Sequence, residues 1–100
     1  MTEYNLSMTM QVNASHILVK TEDEAKAIIA DIKAGKRFED LARGKSVCPS
    51  GRNGGNLGWF GRGMMVPEFE EACFKGKKGQ IVGPVKTQFG YHVIKINEVR

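Results

Sequence analysis

The sequence predicts an α+β fold in which a small, largely antiparallel sheet packs against short helices. Helical and strand segments follow one another in the order strand, helix, helix, glycine-rich loop, strand, helix, strand, strand. The last two strands are joined by a short turn over residues 87–90, which favours an antiparallel hairpin. A chain of 100 residues forms one domain with a modest core. That core is too small to enclose a large cofactor as well, and no cofactor is expected.

Each of the two histidines lies in a predicted strand, one near each end of the chain. His16 lies in the apolar, β-branched run ASHILVK, and His92 lies in the similar run FGYHVIK. The two-residue period of a strand places both imidazoles on sheet faces with apolar neighbours. An unpaired imidazole in a core is costly, and the chain has no third histidine. We therefore expect His16 and His92 to contact each other or a shared neighbour.

The chain begins with a segment that carries little periodicity. Residues 1–11 are expected to form a loose lead-in, and residues 12–100 the domain itself. The first strand is predicted over residues 12–20, where apolar and β-branched residues are concentrated.

Two helices are predicted after the first strand. Thr21 and Glu24 have the spacing of a capping box, and apolar residues at helical spacing extend the first helix over residues 22–34. A shorter helix is predicted over residues 38–43, with Phe38, Leu41 and Ala42 on its apolar face and Gly44 as its end.

Residues 46–63 are rich in glycine and other turn formers, so they are predicted to be mostly loop. Pro67 suits the first position of a third helix, which Gly76 ends, and Glu68, Glu70 and Glu71 complement its dipole. The remaining strands are predicted over residues 57–60, 81–86 and 91–99.

Several features of the sequence bear on the cellular location of the protein and on the redox state of its cysteines. No apolar run approaches the length of a membrane span, and the N-terminus lacks the basic start and apolar stretch of a secretory signal. We therefore expect a cytosolic protein with Cys48 and Cys73 as free thiols. No pair among the cysteines and histidines has the close spacing of a structural zinc site, so no metal is expected.

The net charge of +4 is mildly basic. Its one local concentration is Lys75, Lys77 and Lys78, which fits an ordinary soluble surface. A weak contact of these lysines with an anionic membrane is the alternative that the sequence leaves open. The shortness of the group favours the first interpretation.

The glycine-rich loop does not have the pattern of a nucleotide-binding loop. Neither Gly-x-Gly-x-x-Gly nor Gly-x-x-x-x-Gly-Lys can be placed on it. Its arginines and aromatic residues, Arg52, Trp59, Phe60 and Arg62, weakly resemble an RNA-binding tract. We favour a structural role, because glycines let a long loop bend tightly beside a strand, and expect no nucleic-acid partner.

Cys48 leaves two interpretations open. It could form a thiolate–imidazole pair with a histidine for covalent chemistry, or it could be a small apolar residue in the wall of a cleft. Cys73 fits the second interpretation, since it lies on the inner face of a predicted helix. Apolar residues in and beside the loops, such as Met64, Met65 and Phe89, belong either to the core or to a pocket for a ring-shaped group.

Several segments together resemble the parvulins, a family of small peptidyl-prolyl cis–trans isomerases. The matching segments occur in family order and span nearly the whole chain: SHILVK at 15–20, CPSG at 48–51, GGNLG at 54–58, GRGMMVPEF at 61–69 and GPVKTQFGYHVI at 83–94. The resemblance implies a four-stranded antiparallel sheet surrounded by about four short helices. It also implies an enzyme that accelerates rotation of X–Pro bonds in unfolded or partly folded proteins, as a monomer without a cofactor.

The resemblance also implies roles for individual residues. The catalytic group would comprise His16, Cys48, Thr87 and His92, with Thr87 in the hydrogen-bond network of the histidines. The substrate proline would be held by Leu57, Met65 and Phe69, and Phe89 would help to line the site.

One departure from the family concerns phosphate. Phosphate-directed parvulins insert a basic loop after the first strand, whereas here Lys20 is followed at once by the acidic cap at Thr21. We therefore expect no requirement for phosphoserine or phosphothreonine before proline, and expect apolar residues there instead. A non-catalytic peptide-binding or chaperone module on the same fold is the main alternative. A cysteine hydrolase is disfavoured, because no oxyanion device or third orienting residue is evident.

Overall fold

The computed structural model describes residues 9–100 and contains one four-stranded antiparallel sheet in the order β2-β1-β4-β3. The strands are β1 (Gln11–Val19), β2 (Asn56–Gly61), β3 (Ile81–Thr87) and β4 (Gly90–Val99). The helices are α1 (Glu22–Lys33), α2 (Phe38–Lys45) and α3 (Pro67–Lys75), with a 3₁₀ helix over Pro49–Asn53. The predicted α+β class and antiparallel sheet are confirmed. The expected four or so helices correspond, within residues 9–100, to three α-helices and the 3₁₀ helix.

The capping box predicted for α1 is present. The Thr21 hydroxyl oxygen accepts from the Glu24 amide at 3.2 Å, and a Glu24 carboxylate oxygen accepts from the Thr21 amide at 3.2 Å. Gly44, by contrast, does not end α2, which continues to Lys45. The helix continues because the Ser46 amide still donates to the Ala42 carbonyl at 3.1 Å.

The segment over residues 46–63 is more regular than predicted. It contains the 3₁₀ helix and all of β2, which is one residue longer at each end than the short strand expected over 57–60. Pairing with β1 supplies the backbone hydrogen bonds that the glycine-rich composition alone does not suggest. Gly55 is required here, because a Cβ on it would overlap the carbonyl oxygen of His16.

The sheet has a hydrophobic cluster on each face. One cluster packs under α3 and contains Val12, Ala14, Phe60, Phe69, Cys73, Phe74, Ile94 and Ile96. The other packs under α1 and α2 and contains Ile17, Val19, Ala25, Ile28, Phe38, Leu41, Ala42 and Val93. The alternation of β1 and β4 residues between the two clusters places His16 and His92 on the α3 side of the sheet.

The predicted lead-in over residues 1–11 is described only in its last part. Residues 1–8 lie outside the described residues, and β1 begins at Gln11, one position earlier than predicted. The boundary between lead-in and domain therefore stays a prediction. Within residues 9–100, no helix has the length and apolar character needed to cross a membrane.

Candidate active site

A cleft of about 510 Å³ opens on the α3 side of the sheet. It is lined by His16, Leu18, Val47, Cys48, Pro49, Leu57, Met64, Met65, Val66, Phe69, Phe89 and His92. Among the residues that the structure describes, none that lines this cleft carries a full charge. The lining combines two imidazoles and one thiol with a wall that is otherwise apolar, which suits a ligand with an apolar ring.

The two imidazoles are in direct contact, as the sequence predicted. β1 and β4 are hydrogen-bonded neighbours, and Leu18 pairs with His92 across them. The Nδ1 atoms of His16 and His92 are 3.0 Å apart, and their rings stack with centroids 5.1 Å apart and planes inclined at 20°. Both side chains are buried.

The imidazoles belong to a longer chain of hydrogen bonds that connects Thr87 to Cys48. His92 Nε2 lies 2.7 Å from Thr87 Oγ1, and His16 Nε2 lies 3.1 Å from Ser50 Oγ. The Ser50 hydroxyl donates to the Cys48 sulfur at 3.2 Å. Thr87 Oγ1 also accepts from the backbone amide of Phe89 at 3.2 Å.

One neutral tautomer of each histidine is compatible with all of these contacts. Because the Ser50 hydroxyl proton is given to Cys48, Ser50 Oγ accepts from His16 Nε2–H. His16 Nδ1 then accepts from His92 Nδ1–H, and His92 Nε2 accepts from the Thr87 hydroxyl. The contact between the two Nδ1 atoms needs one donor and one acceptor, so two neutral rings satisfy it and two charged rings do not.

Burial favours the same neutral state. Desolvation, with a smaller contribution from the neighbouring His92, lowers the pKa of His16 from 6.5 to about 4. Desolvation also lowers the pKa of His92. Near pH 7 the pair is therefore uncharged, and it cannot supply an imidazolium to the cleft.

Phe69 forms the floor of the cleft between the imidazoles and the core. Its ring meets His16 and His92 edge to face, with centroids 5.5 and 5.1 Å apart, and it also packs near Phe60 at 6.1 Å. Phe69 is 3% exposed, so its ring is fixed by packing on several sides. Edge-to-face packing on two imidazoles holds both rings in place behind the cleft.

The walls and rim of the cleft contain the other predicted binding residues. Leu57 and Met65 are partly buried and pack against the α3-side cluster. Phe89 is on the rim and is 59% exposed, together with Met64, which the sequence indicated as a core or pocket residue, and Val47, which it did not indicate. All eight predicted site residues thus belong to the cleft lining or to the hydrogen-bond chain behind it. Their catalytic and binding roles stay predictions.

Ser50 is the functional candidate that the sequence reasoning missed. It is the only link between His16 and Cys48 in the hydrogen-bond chain of the described residues. Its position two residues after Cys48, at the start of a turn opened by Pro49, was the available signal. Cys73 lies buried in the core as predicted, and burial raises the pKa of its thiol to about 12. Both cysteines are free thiols.

Within residues 9–100, no cluster of three or more His, Cys, Asp or Glu side chains could hold a metal ion. The residues at the cleft are also poor metal ligands as arranged. His16 and His92 direct their Nδ1 atoms at each other, and their Nε2 atoms are taken by Ser50 and Thr87.

The chain is similar to known proteins over nearly all of its length. A family model described as the PPIC-type PPIase domain matches residues 2–100. The foldase protein PrsA of Geobacillus kaustophilus (strain HTA426) is 50% identical over 97 residues, which are 96% of this chain and 34% of that protein. The chain thus spans about a third of the length of the curated relatives it matches.

Solved structures show the same fold. A crystal structure of the peptidylprolyl isomerase PrsA from Bacillus anthracis has a TM-score of 0.90 at 42% identity, covering 98% of this chain and 46% of that one. The solution structure of the parvulin of Nitrosopumilus maritimus has a TM-score of 0.80 at 44% identity, covering 87% of this chain and 95% of that one. The chain therefore belongs to the PPIC-type PPIase domain family and is a parvulin-type peptidyl-prolyl cis–trans isomerase domain.

Proposed function

We propose that this domain accelerates X–Pro rotation without forming a covalent bond, by favouring the twisted amide in its apolar cleft. The observation that supports this most directly is the cleft itself, with its apolar walls and its neutral imidazole pair. The substrate proline ring would pack against Phe69, Met65 and Leu57. A nucleophile that attacks the substrate, as in hydrolases, is not needed, because no bond is broken.

The physical basis is the difference in polarity between the planar and the twisted amide. Rotation of the bond crosses a barrier of about 18–20 kcal/mol, because it breaks amide resonance. The planar forms carry more charge on oxygen and lose more on leaving water than the twisted form does. A dry cleft that holds the proline ring therefore lowers the barrier, and each 1.36 kcal/mol gained at the transition state gives about tenfold in rate.

The hydrogen-bond chain is proposed to set the shape and polarity of the cleft rather than to transfer a proton. Each imidazole nitrogen already has a partner, so neither ring is free to act as a base on the substrate. His16, His92 and Thr87 would fix the tautomers, and Cys48 would adjust polarity near the substrate carbonyl.

The decisive test is the rate of cis–trans isomerisation of a panel of X–Pro peptides. We expect acceleration at catalytic concentrations of the domain, strongest with apolar residues before proline. If saturating amounts leave the rate at its spontaneous value while the peptides still bind, the isomerase proposal fails. A non-catalytic peptide-binding or chaperone role would then be the better explanation. The exposed apolar side chains of Val47, Met64 and Phe89 suit such a role.

Replacing the Cys48 thiol by a hydroxyl tests the non-covalent route. We expect Cys48→Ser to keep most of the wild-type activity, within about tenfold, which corresponds to 1.36 kcal/mol. In the structure the sulfur contacts the Ser50 hydroxyl, and none of the hydrogen bonds among the described residues joins it to an imidazole. A proline-limited refolding assay measures the effect. An inactive but fully folded variant would instead support covalent attack by the thiolate.

A phosphate on the residue before proline is not expected to raise the rate at which a peptide is isomerised. β1 ends at Val19, and the α1 cap follows at Thr21, which leaves no room for a basic loop there. No lysine or arginine lines the cleft, as far as the described residues show. In matched peptides that differ only by phosphorylation of a serine before proline, the unmodified peptide should turn over at least as fast. A faster phosphorylated peptide would contradict this prediction.

The physiological partners are proposed to be unfolded or partly folded proteins that contain X–Pro bonds. The foldase name of the PrsA relatives supports this class of substrate. The chain spans about a third of those relatives, so the activity of a whole protein is part of the proposal. Acceleration of the slow, proline-limited phase in refolding of a substrate protein is the expected result.

We propose that Lys75, Lys77 and Lys78 form part of an ordinary solvent-exposed surface. Lys75 pairs with Glu71 at 2.7 Å and Lys78 pairs with Glu98 at 3.0 Å, which reduces the local positive charge. The alternative of weak contact with anionic membranes is tested by co-sedimentation with phosphatidylserine vesicles, where we expect no binding at physiological salt.

The oligomeric state and the cellular location remain predictions. We propose a monomer, which sedimentation equilibrium measures directly. We also propose a cytosolic location, which is tested by fractionation of cells that produce the protein from its own gene.

A further inference from the structure

The loop between β2 and α3 carries part of the cleft wall. It follows Gly61 and precedes Pro67, and its residues Met64 and Met65 line the cleft. Met65 and Val66 at the end of the loop pack against the α3-side cluster, whereas Met64 is 67% exposed. The first part of the loop and Met64 must therefore be supported by polar contacts.

Glu70 supplies that support from the first turns of α3. One of its carboxylate oxygens accepts from the Gly63 amide at 2.6 Å, and the other lies 3.6 Å from the guanidinium of Arg62. The side chain is 19% exposed, so solvent reaches it only in part. A short bond from an amide to a carboxylate is of the stronger, charge-assisted kind.

Two further contacts complete the arrangement. The Arg62 guanidinium lies 4.3 Å from the ring centroid of Phe74, which is a buried residue of α3. The Gly61 amide donates to the Met64 sulfur at 3.4 Å. Gly63 has a φ of +87°, a conformation that places its amide toward Glu70 and that other residues adopt only with strain.

We propose that Glu70 is a positioning residue for substrate binding, which acts by holding the Gly63 amide and so fixes the wall formed by Met64 and Met65. Without this bond the loop has more conformations, and binding a peptide must then order it. The effect belongs to peptide binding rather than to rotation of the bound peptide. The proposal rests on the isomerase activity proposed above, since it assigns a binding role within that cleft.

The test compares three variants on one helix. Glu70→Ala is expected to raise KM about tenfold, which corresponds to about 1.4 kcal/mol, with kcat changed less than about twofold. Glu70→Gln keeps an oxygen that accepts from Gly63, so its KM should rise only about twofold by the same scale. Glu71→Ala is the matched control, because Glu71 is exposed on the same helix and, among the described residues, its side chain is hydrogen-bonded to Lys75 and not to the loop. Its kinetics should equal those of the wild type.

A second measurement separates this role from the activity itself. Exchange of the Gly63 amide proton, followed by NMR, should be slow in the wild type and in Glu70→Gln but fast in Glu70→Ala. If the wild-type domain has no isomerase activity, the proposed function is refuted, but the exchange rate of the Gly63 amide still reports whether Glu70 holds the loop. A wild-type KM in Glu70→Ala, a loss confined to kcat, or a Glu70→Gln variant as impaired as Glu70→Ala would overturn the positioning role.

Discussion

Lowering the pH from 7 to 4 is expected to destabilise the folded domain by about 3 kcal/mol through His16 alone. The unfolded chain binds a proton at His16 below its ordinary pKa of 6.5, whereas the folded chain resists protonation until about pH 4. The unfolded state therefore binds more protons in this window, and stability falls as the pH falls. Above pH 6.5 this contribution is complete. His92 acts in the same direction, because burial lowers its pKa too.

Urea unfolding at a series of pH values between 7 and 4 measures this loss. The part of this window above about pH 5 reports on the histidines, since hydrogen bonds from Lys75 and Lys78 hold the pKa of Glu71 and Glu98 below their usual 4.5. Those carboxylates lose their contribution only below that value. NMR titration of the His16 ring gives an independent midpoint. A midpoint near 6.5, or a stability that stays flat down to pH 4.5, would contradict the assignment of a neutral buried pair.

Truncation of Phe69 is expected to have the largest effect of any single substitution in the cleft. Phe69→Ala should destabilise the domain by about 3–5 kcal/mol, the range for removing a buried aromatic ring. The ring is 3% exposed and packs on His16, His92 and Phe60, so its loss leaves a cavity and frees both imidazoles. Isomerase activity per folded molecule should also fall, because the floor of the cleft is gone. Chemical denaturation and a peptide assay at low temperature measure the two effects.

Phe89→Ala is the matched control for this experiment. It makes the same chemical change in the same cleft, but Phe89 is 59% exposed on the rim. Its stability should change by no more than about 0.5 kcal/mol, while peptide binding weakens moderately. Equal destabilisation by the two variants would show that Phe69 does not have the structural role described here.

Periodicity and capping explain which parts of the fold the sequence predicts well. β1, β4 and α1 are long and strongly patterned, and their predicted ends lie within a residue or so of the observed ones. The bounds of the short segments are harder to predict. Gly44 suggests a helix end, yet α2 passes through it, and the glycine-rich segment contains a 3₁₀ helix and the two outer residues of β2 that the sequence does not predict. β2 depends on hydrogen bonds to β1, which no local pattern reveals.

The candidate site divides in the same way. That His16 and His92 meet could be argued from two imidazoles in apolar strands, because a buried polar group needs a partner. The roles of Ser50 and Glu70 could not be predicted from the same argument, because each depends on a tertiary contact. Ser50 contacts His16 across 34 positions of the sequence, and Glu70, which the helix pattern relates only to the dipole, accepts from the Gly63 amide outside its helix.

The uncharged lining of the cleft has a consequence for how the domain responds to its surroundings. Dissolved ions screen interactions between full charges, and the residues described around this cleft offer none. Recognition of an uncharged X–Pro segment should therefore be nearly indifferent to ionic strength. An isomerase domain with such a cleft should accelerate X–Pro rotation equally well in dilute and in concentrated electrolyte.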